Sequence, residues 1–296
     1  MADATHIDFR SPSRLAHMRL KVRELVWETR FLAKLGRTWP ERMSIAKLVA
    51  KLYAARLMPF DTHRWEATIR VHGARYVVGV RTSEIFVFHE IYDSLQYDRH
   101  VDFIPQSGWT VFDVGANIGV FTVLQATQGA RVYSFEPNPE SYSRLSRNVA
   151  ANRLGGCVRL FPTALGDERG MGNLHVVGGG TTAGVITRVK AGASASGVAV
   201  PIATLDEVVS TLPELSIDLL KIDAEGSEVA ILRGGERTLD DVQRIVVEYH
   251  SRDLLRQVKE ILAGKGFTQE MIVDYYAEDA AAGHDEVGIL YARRPH

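Results

Sequence analysis

Residues 110–119 read TVFDVGANIG, and this stretch decides the fold. Thr110–Val114 is a short apolar run of strand character. Gly115 and Gly119 follow at once, and a helical pattern then continues to about Gln128, where Gly129 stands as a C-cap. The reading is strand, tight turn, helix. Glycine lets the backbone turn sharply and approach a ligand, and the helix start offers free N–H groups. Working outward, RVYSF (131–135) is the next strand. Asn138-Pro139 opens a helix as N-cap and first-turn proline, with Tyr142, Leu145 and Val149 on its buried face. CVRLF (157–161), IDLLKI (217–222), RIVVEY (244–249), FTQEMI (267–272) and VGILYA (287–292) supply further strands. Strand–helix alternation of this kind predicts an α/β chain with a mainly parallel sheet covered on both faces. Asp274–Asp285 has no helical period, so the last two strands are expected to form an antiparallel pair.

Residues 168–200 interrupt the alternation. They are glycine-rich, with Gly178, Gly179, Gly180, Gly184, Gly192 and Gly197, and read as a hairpin or flap. Ahead of the regular region, residues 64–90 are rich in β-branched and aromatic residues around a His72-Gly73 turn, and predict a small β unit followed by a short helix near Glu90–Leu95. Residues 11–58 predict two helices divided at Trp39-Pro40. Leu15, Met18, Leu20, Val22, Leu25 and Phe31 mark the first; Ile45, Leu48, Val49, Leu52 and Leu57 mark the second. The expected organisation is a basic helical extension (1–60), a small β/helix cap unit (61–105) and a ligand-binding domain (106–296) carrying the 168–200 flap.

Composition narrows the class. The 296 residues are 46% apolar and 24% charged, which fits a globular chain and excludes collagen-like, disordered and disulfide-framework classes. Net charge is −1, so the whole chain offers no argument for nucleic acid. The charge is uneven: residues 1–70 carry 14 Lys+Arg against 7 Asp+Glu, while the remainder is acidic. A basic amphipathic helix can rest on a membrane surface. A helical cap burying its apolar stripe against the body is the favoured reading. The one cysteine, Cys157, excludes an internal disulfide and a Cys-rich zinc site. No apolar run resembles a leader or reaches membrane length, and a cytoplasmic location is expected.

Four constellations carry chemistry. In the first, Asp113-Val-Gly115-Ala-Asn117-Ile-Gly119, Asn117 stands where a G-x-G-x-x-G dinucleotide turn has its second glycine. An acid before the turn suits a ligand bearing an amino group, such as S-adenosylmethionine, rather than a pyrophosphate. In the second, Glu136 ends the next strand 21 residues after Gly115, a position suited to accepting ribose hydroxyls. The third is Lys221-Ile-Asp223-Ala-Glu225-Gly-Ser-Glu228, at the carboxyl end of the fourth strand. Lys221 and Asp223 share a face there. Asp223 or Glu225 could act as base on an acceptor hydroxyl, whereas Glu228 reads as a first-turn helix acid. The fourth is Glu248-Tyr-His250 on the neighbouring strand. His250 is a candidate base. Asp223, Glu225, Glu248 and His250 could also form a metal site, but no spacing demands one and no resident metal is expected.

With these residues in view, VFDVGANIG, SFEPNPESYSRLSRNVAAN, VPIATLDEV and IDLLKIDAEGSEVAILRGG resemble the FkbM-like S-adenosylmethionine-dependent methyltransferases, over about residues 82–250. TSEIFVFHEIYDSLQYD is similar to the family's segment ahead of the core. The resemblance implies a Rossmann-like sheet of seven strands with the last one reversed. It implies S-adenosylmethionine as cofactor and methyl transfer to oxygen, often on a sugar or natural-product hydroxyl. Asp113, Gly115, Asn117 and Gly119 would hold the methionine end, Glu136 the ribose, and Ala164 and Leu165 would lie near adenine. Asp223, Glu225, His250 and Lys221 are the candidate catalytic residues. No Asn-Pro-Pro-Tyr segment follows the fourth strand, which argues against amine methylation on nucleic acid or protein. The alternatives are a nicotinamide-dependent oxidoreductase, sharing the turn and the acid, or a non-catalytic module binding cofactor or an anionic surface.

Overall fold

The computed structural model describes residues 14–57, 65–80, 82–176, 184–188, 197–213, 216–275 and 287–295. Helices α1 (Arg14–Leu35) and α2 (Trp39–Leu57) lead the chain. Their break falls at Gly36–Thr38, just ahead of Trp39-Pro40. Leu25, Phe31 and Leu32 of α1 and Ile45, Leu48 and Leu52 of α2 face the body. The side chains expected before Leu25, and Leu57, lie outside the described residues. Glu28 is fully buried and grips Arg56 through two bonds of 2.7 and 2.9 Å, fixing α1 on α2.

Strands β1 (Glu66–Val71) and β2 (Ala74–Gly79) form a hairpin around His72-Gly73. Helix α3 (Thr82–Phe88) follows and runs into a single π-turn at His89–Asp93. The short helix expected near Glu90–Leu95 is present as this π-turn, whereas the β structure expected up to residue 90 ends at Gly79 and α3 takes its place. The β-branched and aromatic run loses to a tertiary requirement. Glu84 is fully buried, accepts the Gly79 N–H at 2.6 Å and pairs with Arg144 at 2.8 Å.

The body alternates as expected: β3 (Thr110–Val114), α4 (Val120–Thr127), β4 (Arg131–Phe135), α5 (Pro139–Ala151) and β5 (Val158–Phe161). Asn138 caps α5 by accepting the Glu140 N–H. Next come β6 (Ala164–Leu165), β7 (Gly170–Val176), β8 (Gly184–Arg188), β9 (Val198–Ala203) and α6 (Leu205–Ser210). The chain closes with β10 (Leu219–Ile222), α7 (Glu228–Gly234), β11 (Arg244–Tyr249), α8 (Arg252–Gly264), β12 (Thr268–Tyr275) and β13 (Val287–Arg293). Seven strands make the main sheet in the order β12-β13-β11-β10-β3-β4-β5. Only β13 runs against the rest, pairing antiparallel with both β11 and β12.

Alternate side chains of the strands feed two cores. Val111, Val132, Leu219 and Val246 join α4, α5 and the N-terminal unit on one face. Phe112, Phe135, Leu220 and Val247 join α6, α7 and α8 on the other. The 168–200 region is more than a flap: β7 and β8 pair as a hairpin and belong to a second sheet of order β6-β9-β7-β8. Gly178, Gly179, Gly180, Gly192 and most of the 274–285 connection lie outside the described residues.

Candidate active site

The order of the main sheet reverses between β3 and β10, and parallel sheets bind ligands at the carboxyl ends of such a pair. The turn after β3 is pressed onto the end of β10. Gly115 has φ +77°, and a Cβ there would stand 1.7 Å from the carbonyl oxygen of Asp223. Only glycine fits this contact. Gly115→Ala is expected to destabilise the fold by about 2–3 kcal/mol, read as a lowered urea midpoint at unchanged slope.

Asn117, also at positive φ (51°), donates its backbone N–H to Glu136 Oε2 at 2.7 Å. Asn138 donates to Oε1 at 2.7 Å. The glycine turn and the start of α5 thereby hold the Glu136 carboxylate from both sides. They border a cavity of about 80 Å³ whose walls include Phe135, Ala164, Leu165, Leu174 and Ile231. Burial pushes Glu136 up to about 7, against the two N–H bonds and the charge of Lys221. A ligand whose hydroxyls donate to the ionised carboxylate should therefore bind about tenfold more tightly at pH 8 than at pH 6. Calorimetry across that range reads the change, and a flat profile contradicts it.

Gly115, Asn117, Glu136, Ala164 and Leu165 thus stand at one cavity. Asp113 and Gly119 do not, and their expected roles need correction. Asp113 is fully buried behind the turn, with Lys221 Nζ at 3.1 Å and the Thr122 hydroxyl at 2.6 Å. Parallel pairing of β3 with β10 sets Asp113 beside Lys221. Its charge is committed to that lysine instead of a ligand's amino group. Gly119 is the N-cap of α4, and its missing side chain makes room for Leu145 of α5.

Lys221, one of the candidate catalytic residues, lines neither this cavity nor the second one that meets it. Its ammonium is 3.2 Å from the Gly115 carbonyl and 3.6 Å from Asp223, above the ring of Tyr97. Burial alone would lower its pKa, but Asp113 and Asp223 hold it well above the usual lysine value. It stays charged and braces the two strand ends.

Asp223, Glu225 and Asn117 also line a second chamber of about 440 Å³, together with Glu90, Glu248 and His250. The two cavities meet at these three shared residues. His250 Nδ1 is 2.7 Å from Glu228 Oε1, and its Nε2 is 3.3 Å from Glu225 Oε2. Burial lowers the His250 pKa, but the Glu228 bond and the charges of Asp223, Glu228 and Glu248 more than reverse this and push it up to about 10. Without a ligand, then, His250 is an imidazolium at neutral pH, not the free base expected. Glu228 lies in the first turn of α7 as expected, and it is also fully buried and holds both His250 and the Gly226 N–H. Burial, with the charge of Asp223 behind it, raises Glu225 to about 7.

Tyr97, Gln96 and Glu90 escaped the sequence reading. The Tyr97 hydroxyl lies 3.0 Å from Asp223 Oδ2 and 2.9 Å from Glu248 Oε2, and Gln96 donates to the same Glu248 oxygen at 2.6 Å. All three fall within TSEIFVFHEIYDSLQYD, whose resemblance was the available signal. One ligand atom each from Asp223, Glu248 and His250 lie within 4.8 Å of one another, a set that could hold a metal.

A family model described as the methyltransferase FkbM domain matches residues 113–268. The chain is 31% identical over 234 residues to 31-O-demethyl-FK506 methyltransferase FkbM of Streptomyces tacrolimicus, covering 68% of this chain and 88% of that protein. It is 29% identical over 178 residues to 2-O-methyltransferase NoeI of Sinorhizobium fredii, covering 54% and 72%. It is 27% identical over 173 residues to hexuronic acid methyltransferase AglP of Haloferax volcanii, covering 58% and 69%. The cofactor of such enzymes is S-adenosylmethionine, and the residues present fit it. A largely apolar-walled cavity carries the Glu136 carboxylate at the end of β4 and Asp223 and Glu225 at its other side, and the buried Asn117 Oδ1 has no hydrogen-bond partner among the described residues. Together the matched motifs, the sheet order and the paired cavities place this chain in the FkbM methyltransferase family.

Proposed function

We propose that the protein is an O-methyltransferase acting on a hydroxyl of a small molecule, a sugar or natural product. The observation that carries this reading is the meeting of two cavities at Asn117, Asp223 and Glu225. Bound in the first, S-adenosylmethionine supplies an electrophilic methyl group on a sulfonium centre. Glu136 accepts the ribose hydroxyls, and Ala164 and Leu165 flank the adenine. The carboxylates of Asp223 and Glu225 face the junction from the acceptor side. Glu225, one-third exposed, takes the hydroxyl proton. Asp223, held by Tyr97 and Lys221, orients the acceptor oxygen for in-line attack. The cap segment 61–105 contributes Phe86, Glu90 and Gln96 to the chamber and forms part of the acceptor wall. Helices α1 and α2 pack against that cap. An O-directed reaction is supported by the names of the FK506 and 2-O relatives, each describing that relative alone.

No arginine or lysine lines the acceptor chamber among the described residues, whereas Glu90, Asp223, Glu225 and Glu248 do. Neutral polyols should therefore be accepted over uronates, whose carboxylate meets like charge. The test is a panel of neutral glycosides, their uronate counterparts, macrocyclic alcohols and amines, incubated with methyl-labelled S-adenosylmethionine. Label on a hydroxyl of a neutral acceptor supports the reading. Label on amines alone contradicts it.

A further inference from the structure

The acceptor chamber gathers more carboxyl oxygens than its own donors bond among the described residues. Tyr97 has one hydroxyl proton and two carboxylates within 3.0 Å, Asp223 and Glu248. Both donors to Glu248 fall on Oε2, which leaves Oε1 without a partner among the described residues, on a side chain only 8% exposed. Glu90 lines the same chamber close to Glu248, Asp223 and Glu225, and no described residue bonds its carboxylate. Lys221 is shared between Asp113 at 3.1 Å and Asp223 Oδ2 at 3.6 Å and lines neither cavity. A half-buried space with unpaired carboxylate oxygens calls for a cation or for protons.

The geometry favours a metal cation. Carboxylate and imidazole atoms from Asp223, Glu248 and His250 lie within 4.8 Å of one another. A shared ion with bonds of about 2.1 Å spans donors up to about 4.2 Å apart, so small rotations would close the set. Glu228, fully buried, bonds His250 Nδ1 at 2.7 Å and leaves Nε2 directed at the chamber acids. A carboxylate behind a histidine in this way is the usual support of a metal-bound imidazole. Two carboxylates and one imidazole suit a first-row divalent ion better than Mg²⁺, which prefers oxygen and water.

We propose that Asp223, Glu248 and His250 bind one divalent transition-metal ion, with Glu228 as the positioning residue behind His250. The ion would sit beside the cavity junction, where it can hold an acceptor oxygen and make its proton easier to remove. His250 would exchange its Glu225 contact for the ion, freeing Glu225 to face the acceptor. That last role rests on the methyltransferase reading; metal binding itself does not.

Mn²⁺ is the probe. Protein stripped with chelator is titrated with Mn²⁺ and followed by loss of the free-ion electron paramagnetic resonance signal. One saturable site per chain is expected, weakened at least 100-fold in Glu248→Gln and His250→Gln and about 10–100-fold in Glu228→Gln. Pulsed resonance on the unmutated protein should show one imidazole nitrogen coupled to the bound ion, a readout that needs no variant. No saturable site, equal affinity in the variants, or a bound ion without nitrogen coupling overturns the proposal. S-adenosylmethionine is titrated into the same samples. Cofactor binding without Mn²⁺ binding removes the metal and leaves the proposed function, whereas Mn²⁺ binding without cofactor binding does the reverse.

Discussion

Lys221→Met should cost about 3–5 kcal/mol of folding free energy, the largest stability loss at the site. The lysine is 3% exposed and its partner Asp113 is fully buried. Removing the ammonium leaves Asp113 with the Thr122 hydroxyl alone. An unpaired carboxylate in that position must stay charged at high cost or take up a proton. The double variant Lys221→Met/Asp113→Leu should recover most of the loss, because a buried ion pair replaced whole by apolar groups is often near neutral. Urea denaturation of the three proteins reads this directly. A loss below 1 kcal/mol in the single variant would mean that the pair is not buried as described.

Glu225→Gln should lower kcat by about 10²–10⁴-fold, the range expected when a positioned proton acceptor is removed. The change is nearly isosteric, and Glu225 belongs to both cavities, so cofactor affinity serves as the control. Affinity within about twofold of the parent separates proton transfer from cofactor holding. An equal fall in kcat and in cofactor affinity would move Glu225 from the acceptor to the cofactor.

The sheet was legible because its signals are local. TVFDV, RVYSF and RIVVEY are short apolar strands closed by glycine or cap residues, and each forms where expected. The reversed final strand followed from the lack of a helical period between the last two runs. TSEIFVF misled because its composition favours strand while buried Glu84 ties it to β2 and α5 as a helix. Gly115, Asn117 and Glu136, which line one cavity, were singled out by the glycine turn and the strand-end acid. Charge partnership was not. Asp113 looked like a ligand contact until the β3–β10 register paired it with Lys221, 108 positions away. Glu228 is the first-turn helix acid it looked like, but its second partnership, with His250 at the end of β11, was not readable. Tyr97 reaches Asp223 and Glu248 across more than 120 positions, a distance no local pattern spans.

The most direct test of the account is a calorimetric titration of the protein and of Glu136→Ala with S-adenosylmethionine, its demethylated product and NADH. The account predicts binding of the first two and not of NADH. It also predicts that Glu136→Ala weakens that binding by about 1–3 kcal/mol through lost charge-assisted hydrogen bonds. Binding of NADH alone, or full affinity in Glu136→Ala, would contradict the cofactor site described here.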